Sequence, residues 1–211
     1  MSVSDQISTT KTIQVVKDFK RVLKDFEPMV KDPRHLWNGR DISNFKVRPR
    51  EAWANWLICA VLRHLQGEDI TFAEDDVGDG LIVDKKTGGI IVTEHVSALE
   101  IPKGRNLPSG EQRIIDAIQK KIDRGSQYAE GKHLVVFFDG AGWFVRQKVR
   151  EAIYGKHNFI SVFCVGLLDS GPTGYSYIAT EFRDSYGDKS ASFKIEINND
   201  FTDWSISHVT A

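Results

Sequence analysis

Cysteine is scarce in this chain: there are two, Cys59 and Cys164, each inside an apolar segment. With no CxxC and no paired Cys/His spacing, neither a zinc site nor a disulfide framework organises the fold. Buried free thiols are expected instead. Long apolar runs are also missing. Those present, such as residues 134–138, fall far short of the ~20 residues a membrane helix needs. The opening MSVSDQISTTKT has no apolar stretch of signal-peptide type, so a soluble cytoplasmic protein with no membrane partner is expected. Several catalytic signatures are absent too. TGGI at 87–90 lacks the lysine and spacing of a P-loop, and no GxGxxG follows a strand. There is no Gly-x-Ser-x-Gly elbow, and neither cysteine stands beside an activating group. No internal repeat or low-complexity tract occurs.

What is present suffices for a folded domain. Hydrophobic residues make up 41% of the 211, too many for a disordered chain, and the length suits one domain with or without an arm. The net charge of −1 hides an uneven distribution. Residues 1–50 carry eleven Lys/Arg against six Asp/Glu, and residues 51–100 carry three against ten. Residues 101–155 carry ten against six, and residues 156–211 carry four against seven. An acidic block thus lies between two basic ones. Solvated loops account for such a pattern, and so does a carboxylate metal site flanked by phosphate-binding surface.

Apolar residues at helical spacing from Ile13 to Val30 predict a helix with Thr12 as N-cap and Pro33 just beyond its end. Pro49 opens a second helix over 50–65, with Trp53, Trp56, Leu57, Ala60, Val61 and Leu65 on one apolar face and Gly67 at its end. Three short strands follow at 69–73, 79–84 and 90–97, the last two joined by KKTGG as a hairpin. A helix over 111–130 leads to a buried strand at 132–139. A helix over 144–154, a buried strand over 159–167, and strands at 175–180 and 192–198 complete the chain. The expected architecture is α/β, in the order α-β-β-β-α-β-α-β, with a mixed central sheet covered by helices on both faces. Residues 1–45 form an N-terminal helical arm in this reading, and 46–211 an α/β domain with a C-terminal strand extension.

Chemistry concentrates in Glu51, Asp79 and Glu94. Asp79 opens the second predicted strand, and Glu94 lies in the third, inside the apolar run IIVTEHV. Burying a carboxylate is costly unless it is paired or binds a metal. In a hairpin of this length the two acids can approach each other near one end of the sheet. Glu51 sits in the first turn of the preceding helix, where the macrodipole alone also favours an acid. Asp79 between glycines also suits plain turn chemistry. A hard divalent cation such as Mg²⁺ takes a few carboxylate oxygens and keeps several waters.

This arrangement resembles the core of PD-(D/E)xK, or restriction-endonuclease-like, nucleases. That family's α-β-β-β-α-β core carries a Glu on the first helix, an Asp at the second strand and a (D/E)xK tripeptide on the third. Glu51, Asp79 and Glu94 fall at those places, and the resemblance spans residues 50–138. Gln127-Tyr128 is similar to a Gln/Tyr pair that some members carry in the following helix. The third-strand tripeptide departs from the pattern, reading Glu94-His95-Val96 where a lysine should close it.

The resemblance implies metal-dependent hydrolysis of a nucleic-acid phosphodiester, with DNA taken ahead of RNA and a homodimer compatible with it. Asp79, Glu94 and the backbone carbonyl of His95 would hold Mg²⁺ or Mn²⁺, with Glu51 completing the shell or acting through water. For the missing lysine three readings stay open. A cation reaches the site from elsewhere, with Lys103, Arg105 and Lys132 as candidates; His95 contributes; or the protein is a non-cleaving binder acting in defence or counter-defence. Arg40, Lys46, Arg48 and Arg50 before the acidic block, and Lys103, Arg105, Arg113, Lys120, Lys121 and Arg124 after it, are the candidates for nucleic-acid contact.

Overall fold

A computed structural model describes residues 15–32, 48–73, 79–98, 109–138, 144–187 and 189–209. Helix α1 (Phe19–Lys31) starts later than its hydrophobic spacing suggests. Asp18 caps it, accepting the Arg21 N–H at 2.8 Å. The preceding residues pair with strand β1 (Ile70–Ala73) instead: Val15 bridges Ala73, and the Val16 N–H donates to the Phe72 carbonyl at 3.0 Å. The expected cap, Thr12, lies outside the described residues.

Helix α2 (Pro49–Gln66) has proline in its first turn and ends at Gly67. A single apolar face was expected from its sequence. The helix is instead buried all round from Ala52 to Leu62, while Leu65, assigned to that face, is 54% exposed. The cause is the sheet, which wraps the helix so that it lies against β1, β2 and β4 to β8. Trp53 and Trp56 stack at 5.3 Å, and Trp56 stacks on Phe19 of α1 at 4.9 Å. Both tryptophans are fully buried, so truncating either to Ala should cost about 3–5 kcal/mol.

The sheet has eight strands in sequence order: β1, β2 (Leu81–Asp84), β3 (Ile90–Ser97), β4 (Lys132–Phe137), β5 (Ser161–Gly171), β6 (Gly174–Phe182), β7 (Ala191–Asn198) and β8 (Trp204–His208). The β3–β4 and β4–β5 pairs are parallel and all others antiparallel. The β2–β3 turn is built by Asp84, whose carboxylate accepts the Lys86 N–H at 2.8 Å and the Thr87 hydroxyl at 2.5 Å. Strand β8 had no counterpart in the sequence reading.

Helices cover both faces. Val135 and Phe137 of β4 point into the core with α1 and α2, while Leu134 and Val136 point into a second core with α3 (Gly110–Ile122) and α5 (Arg146–Ile153). Two-sided burial explains why β4 is continuously apolar rather than alternating. The single helix expected over 111–130 is two. Ser109 caps α3, and the chain breaks at Gly125, whose φ of +94° suits glycine, before the one-turn α4 (Ser126–Ala129). That break folds Tyr128 back beside the last turn of α3.

Candidate functional site

The site follows from the hairpin register. Leu81 pairs with Val92 and Ile82 with Ile91, and continuing that register two residues past Leu81 sets Asp79 opposite Glu94. The Thr93 N–H and hydroxyl both donate to the Gly80 carbonyl, at 3.0 and 2.8 Å, which carries the pairing beyond the formal strand. Directly opposed residues share a face, and the Glu94 carboxyl is near enough to raise that of Asp79. Asp79 Oδ2 accepts the backbone N–H of His95 at 2.7 Å.

The two acids differ in their surroundings. Burial raises Asp79 above the usual carboxylate range; the His95 N–H offsets this in part, and the neighbouring Glu94 charge adds to it. Burial also works against the Glu94 charge, but hydrogen bonds from Lys121 and Tyr128, with the charges of Lys121 and Lys132, hold its carboxyl below the usual range. Lys121 Nζ lies 2.5 Å from Glu94 Oε1, Lys132 Nζ 3.9 Å from Oε2, and Arg124 Nη1 4.0 Å from Oε1. Tyr128 ties this group together. Its hydroxyl accepts from Lys121 at 3.1 Å and from Arg124 at 2.7 Å, and its ring lies 4.4 Å from Lys132 Nζ.

Glu51 is 7% exposed in the first turn of α2. Burial, then the Asp79 charge, push its carboxyl up to about 7, against Arg48 and Arg50. It is therefore coupled to Asp79. Among the described residues, no three His, Cys, Asp or Glu side chains converge as a metal cage. The donor set is the Asp79–Glu94 pair, which suits a cation that takes one or two carboxylates and keeps its waters. The His95 ring turns the other way, towards α2, with Nε2 3.1 Å from Asn55 Oδ1. Burial, then Arg50 and Lys121, push it down to about 3, so it is a neutral hydrogen-bonding group. Asn55 in turn reaches the Asp79 carbonyl at 3.5 Å.

Of the other residues named from sequence, Lys103, Arg105, Arg40 and Lys46 lie outside the described residues. Arg50 is half-buried near Glu51, and Lys120 is exposed on α3. Gln127 is exposed beside Tyr128. Lys121 and Arg124, expected only as phosphate contacts, are within the site, and Lys121 is closer to Glu94 than the candidate Lys132. A sequence signal for this was available. Ile114, Ala117 and Ile118 form the buried stripe of α3, and Lys121 is its next member at i+7 from Ile114. A lysine there must find an acid.

No protein-family model matches the chain, and no curated protein matches it.

Proposed function

We propose that the chain is a nuclease, or a protein derived from one, with a restriction-endonuclease-like core that hydrolyses nucleic-acid phosphodiesters, DNA ahead of RNA. The observation that carries this reading is the pair of opposed carboxylates, Asp79 and Glu94, with a lysine on one of them. The strand order and the helices flanking the β1–β4 region support the same family resemblance. Asp79 and Glu94, with the His95 carbonyl, would hold Mg²⁺ or Mn²⁺. When bound, that cation supplies a Lewis acid and lowers the pKa of water.

The chain's own groups do the rest. Asp79 is oriented by the His95 N–H, which fixes one of its oxygens. Lys121 takes the place of the lysine missing from the Glu94-His95-Val96 tripeptide, arriving from the helix rather than the strand. Arg124 and Lys132, held against Tyr128, neutralise phosphate charge as it develops. Glu51 stands near Asp79, whose charge helps to keep the Glu51 carboxyl protonated.

A second reading has an observation of its own. Glu94 is met by Lys121, Arg124 and Lys132 within 4.0 Å, so its carboxylate is neutralised without a metal. That suits a catalytically silent nucleic-acid binder. Incubating the protein with plasmid, single-stranded DNA and RNA in Mg²⁺ or Mn²⁺ separates the two. Cleavage that disappears in Glu94→Ala supports the nuclease, whereas intact substrate with retained binding favours the binder.

A further inference from the structure

The strongest ion pair at the site is in the wrong place for a simple metal centre. Lys121 Nζ lies 2.5 Å from Oε1 of Glu94, one of the two carboxylates a cation would share, and both side chains are largely withdrawn from water, at 14% and 11% exposure. An ammonium this close opposes a metal ion at the same carboxylate by charge repulsion. The ammonium has a second partner. It also hydrogen-bonds to the Tyr128 hydroxyl at 3.1 Å, and Arg124, 57% exposed, donates to that same hydroxyl at 2.7 Å. Lys121 therefore shares this second partner with a guanidinium that already reaches water.

We propose that Lys121 is a resident counter-cation for Glu94, displaced by the metal and passed to a phosphate of the nucleic acid. This rests on the metal-site reading above and adds an order of events to it. In the empty protein Lys121 neutralises Glu94 and keeps the buried carboxylate tolerable. With Glu94 engaged by a bound metal, Lys121 would keep its Tyr128 hydrogen bond beside Arg124 and lack its carboxylate. A phosphodiester then supplies the missing negative charge. Metal and nucleic acid each favour the other, as thermodynamic linkage requires of coupled sites, and the free protein binds metal weakly by design of the site.

Two measurements test this. Mn²⁺ binding is titrated by calorimetry into wild type, Lys121→Met and Lys121→Arg. Removing the competitor should tighten Mn²⁺ binding about tenfold in Lys121→Met, within the usual span of coupling between sites, while Lys121→Arg stays near wild type. In the wild-type protein alone, acetylation of Lys121 by an amine reagent is followed by mass spectrometry. Labelling should be slow without metal, rise with Mn²⁺, and fall again when a phosphorothioate-backbone DNA oligonucleotide is added. Wild type that binds Mn²⁺ with no change in Lys121 labelling, or a Lys121→Met protein that binds it no tighter, overturns the displacement while leaving the metal site intact. A rise that the oligonucleotide does not reverse overturns the transfer to phosphate. Absence of Mn²⁺ binding in wild type and every variant removes the metal site itself, and the displacement with it.

Discussion

Asp79 and Glu94 face each other across the β2–β3 hairpin, yet among the described residues it is Glu94 that has a cation against it, the ammonium of Lys121 at 2.5 Å. Asp79 has a backbone N–H instead, at 2.7 Å. The pair is asymmetric: one carboxylate is neutralised and the other is held but under-compensated. Removing Glu94 alone should therefore do two separable things. Glu94→Gln should abolish metal-dependent cleavage, and it should also strand Lys121 in a largely buried position at a cost of about 1–3 kcal/mol. The double variant Glu94→Gln/Lys121→Met should recover most of that stability in a denaturant titration while remaining inactive. Additive losses would mean the two residues do not act as a pair.

In mildly acid solution the Glu51 carboxyl opposes two buried histidines, His95 and His133, the second lowered from 6.5 to about 4, so wild-type stability should climb with pH only gently. The Glu51 carboxyl is raised from 4.5 to about 7. The unfolded chain then holds fewer protons than the folded one between those values, and stability falls as pH rises through that window, by at most roughly 3 kcal/mol. His95 is lowered from 6.5 to about 3. Between those values the unfolded chain holds more protons, so this contribution is lost as pH falls. The windows overlap from about 4.5 to 6.5. Glu51→Gln removes one side of the balance. Its unfolding free energy should climb from pH 4 to 6.5 and level off, and at pH 8 it should exceed that of wild type. A variant with the same profile as wild type would show that Glu51 is solvated.

Most of the sheet was legible in the sequence because its signals are local. Asp84 and KKTGG mark a tight turn, and β4 and β5 are apolar without interruption, which two-sided burial requires. The opposed carboxylates followed from the same turn, since its length sets the register. The parts that were not legible depend on distant contacts. Val15 and Val16 fit a helical stripe but pair with β1, because Asp18 provides a better cap and β1 a free edge. The all-round burial of α2 depends on the sheet curling around it, which no window of α2 contains. The second partner of Lys121 depends on the break at Gly125, which returns Tyr128 to the end of α3. The stripe of α3 turns Lys121 inward, but only that break brings it the Tyr128 hydroxyl.

Gly80 should not tolerate a side chain. Its φ is +134°, and a Cβ there would collide with the Asn55 side-chain amide, which bonds to the His95 ring and reaches the Asp79 carbonyl. Gly80→Ala should cost roughly 1–3 kcal/mol from backbone strain alone. Because Asp79 is the preceding residue, metal affinity should drop further than stability does. Calorimetric Mn²⁺ titration beside a thermal melt checks this. An Ala variant with unchanged affinity would mean that Asp79 is positioned by the His95 N–H without help from the glycine.

The cations around Tyr128 should set the salt dependence of nucleic-acid binding. Each phosphate contact contributes about −0.9 to the slope of log affinity against log salt for duplex DNA, so Lys121, Arg124 and Lys132 together would give roughly −3. Arg124 is the best single probe, being 57% exposed while its guanidinium is aimed by the Tyr128 hydroxyl. Arg124→Ala should shallow the slope by about one unit and weaken binding evenly across sequences, as a backbone contact does. Tyr128→Phe keeps the ring against Lys132 but removes the hydroxyl that aims Arg124 and Lys121. It should leave the number of cations unchanged and so leave the slope near wild type, while cleavage falls because the cations are no longer held in register with the carboxylates. Fluorescence anisotropy on a labelled duplex across a salt series reads the slope, and a plasmid assay reads cleavage. If Arg124→Ala binds with an unaltered slope, the guanidinium belongs to the Tyr128–Glu94 network alone and the nucleic acid passes elsewhere on the surface.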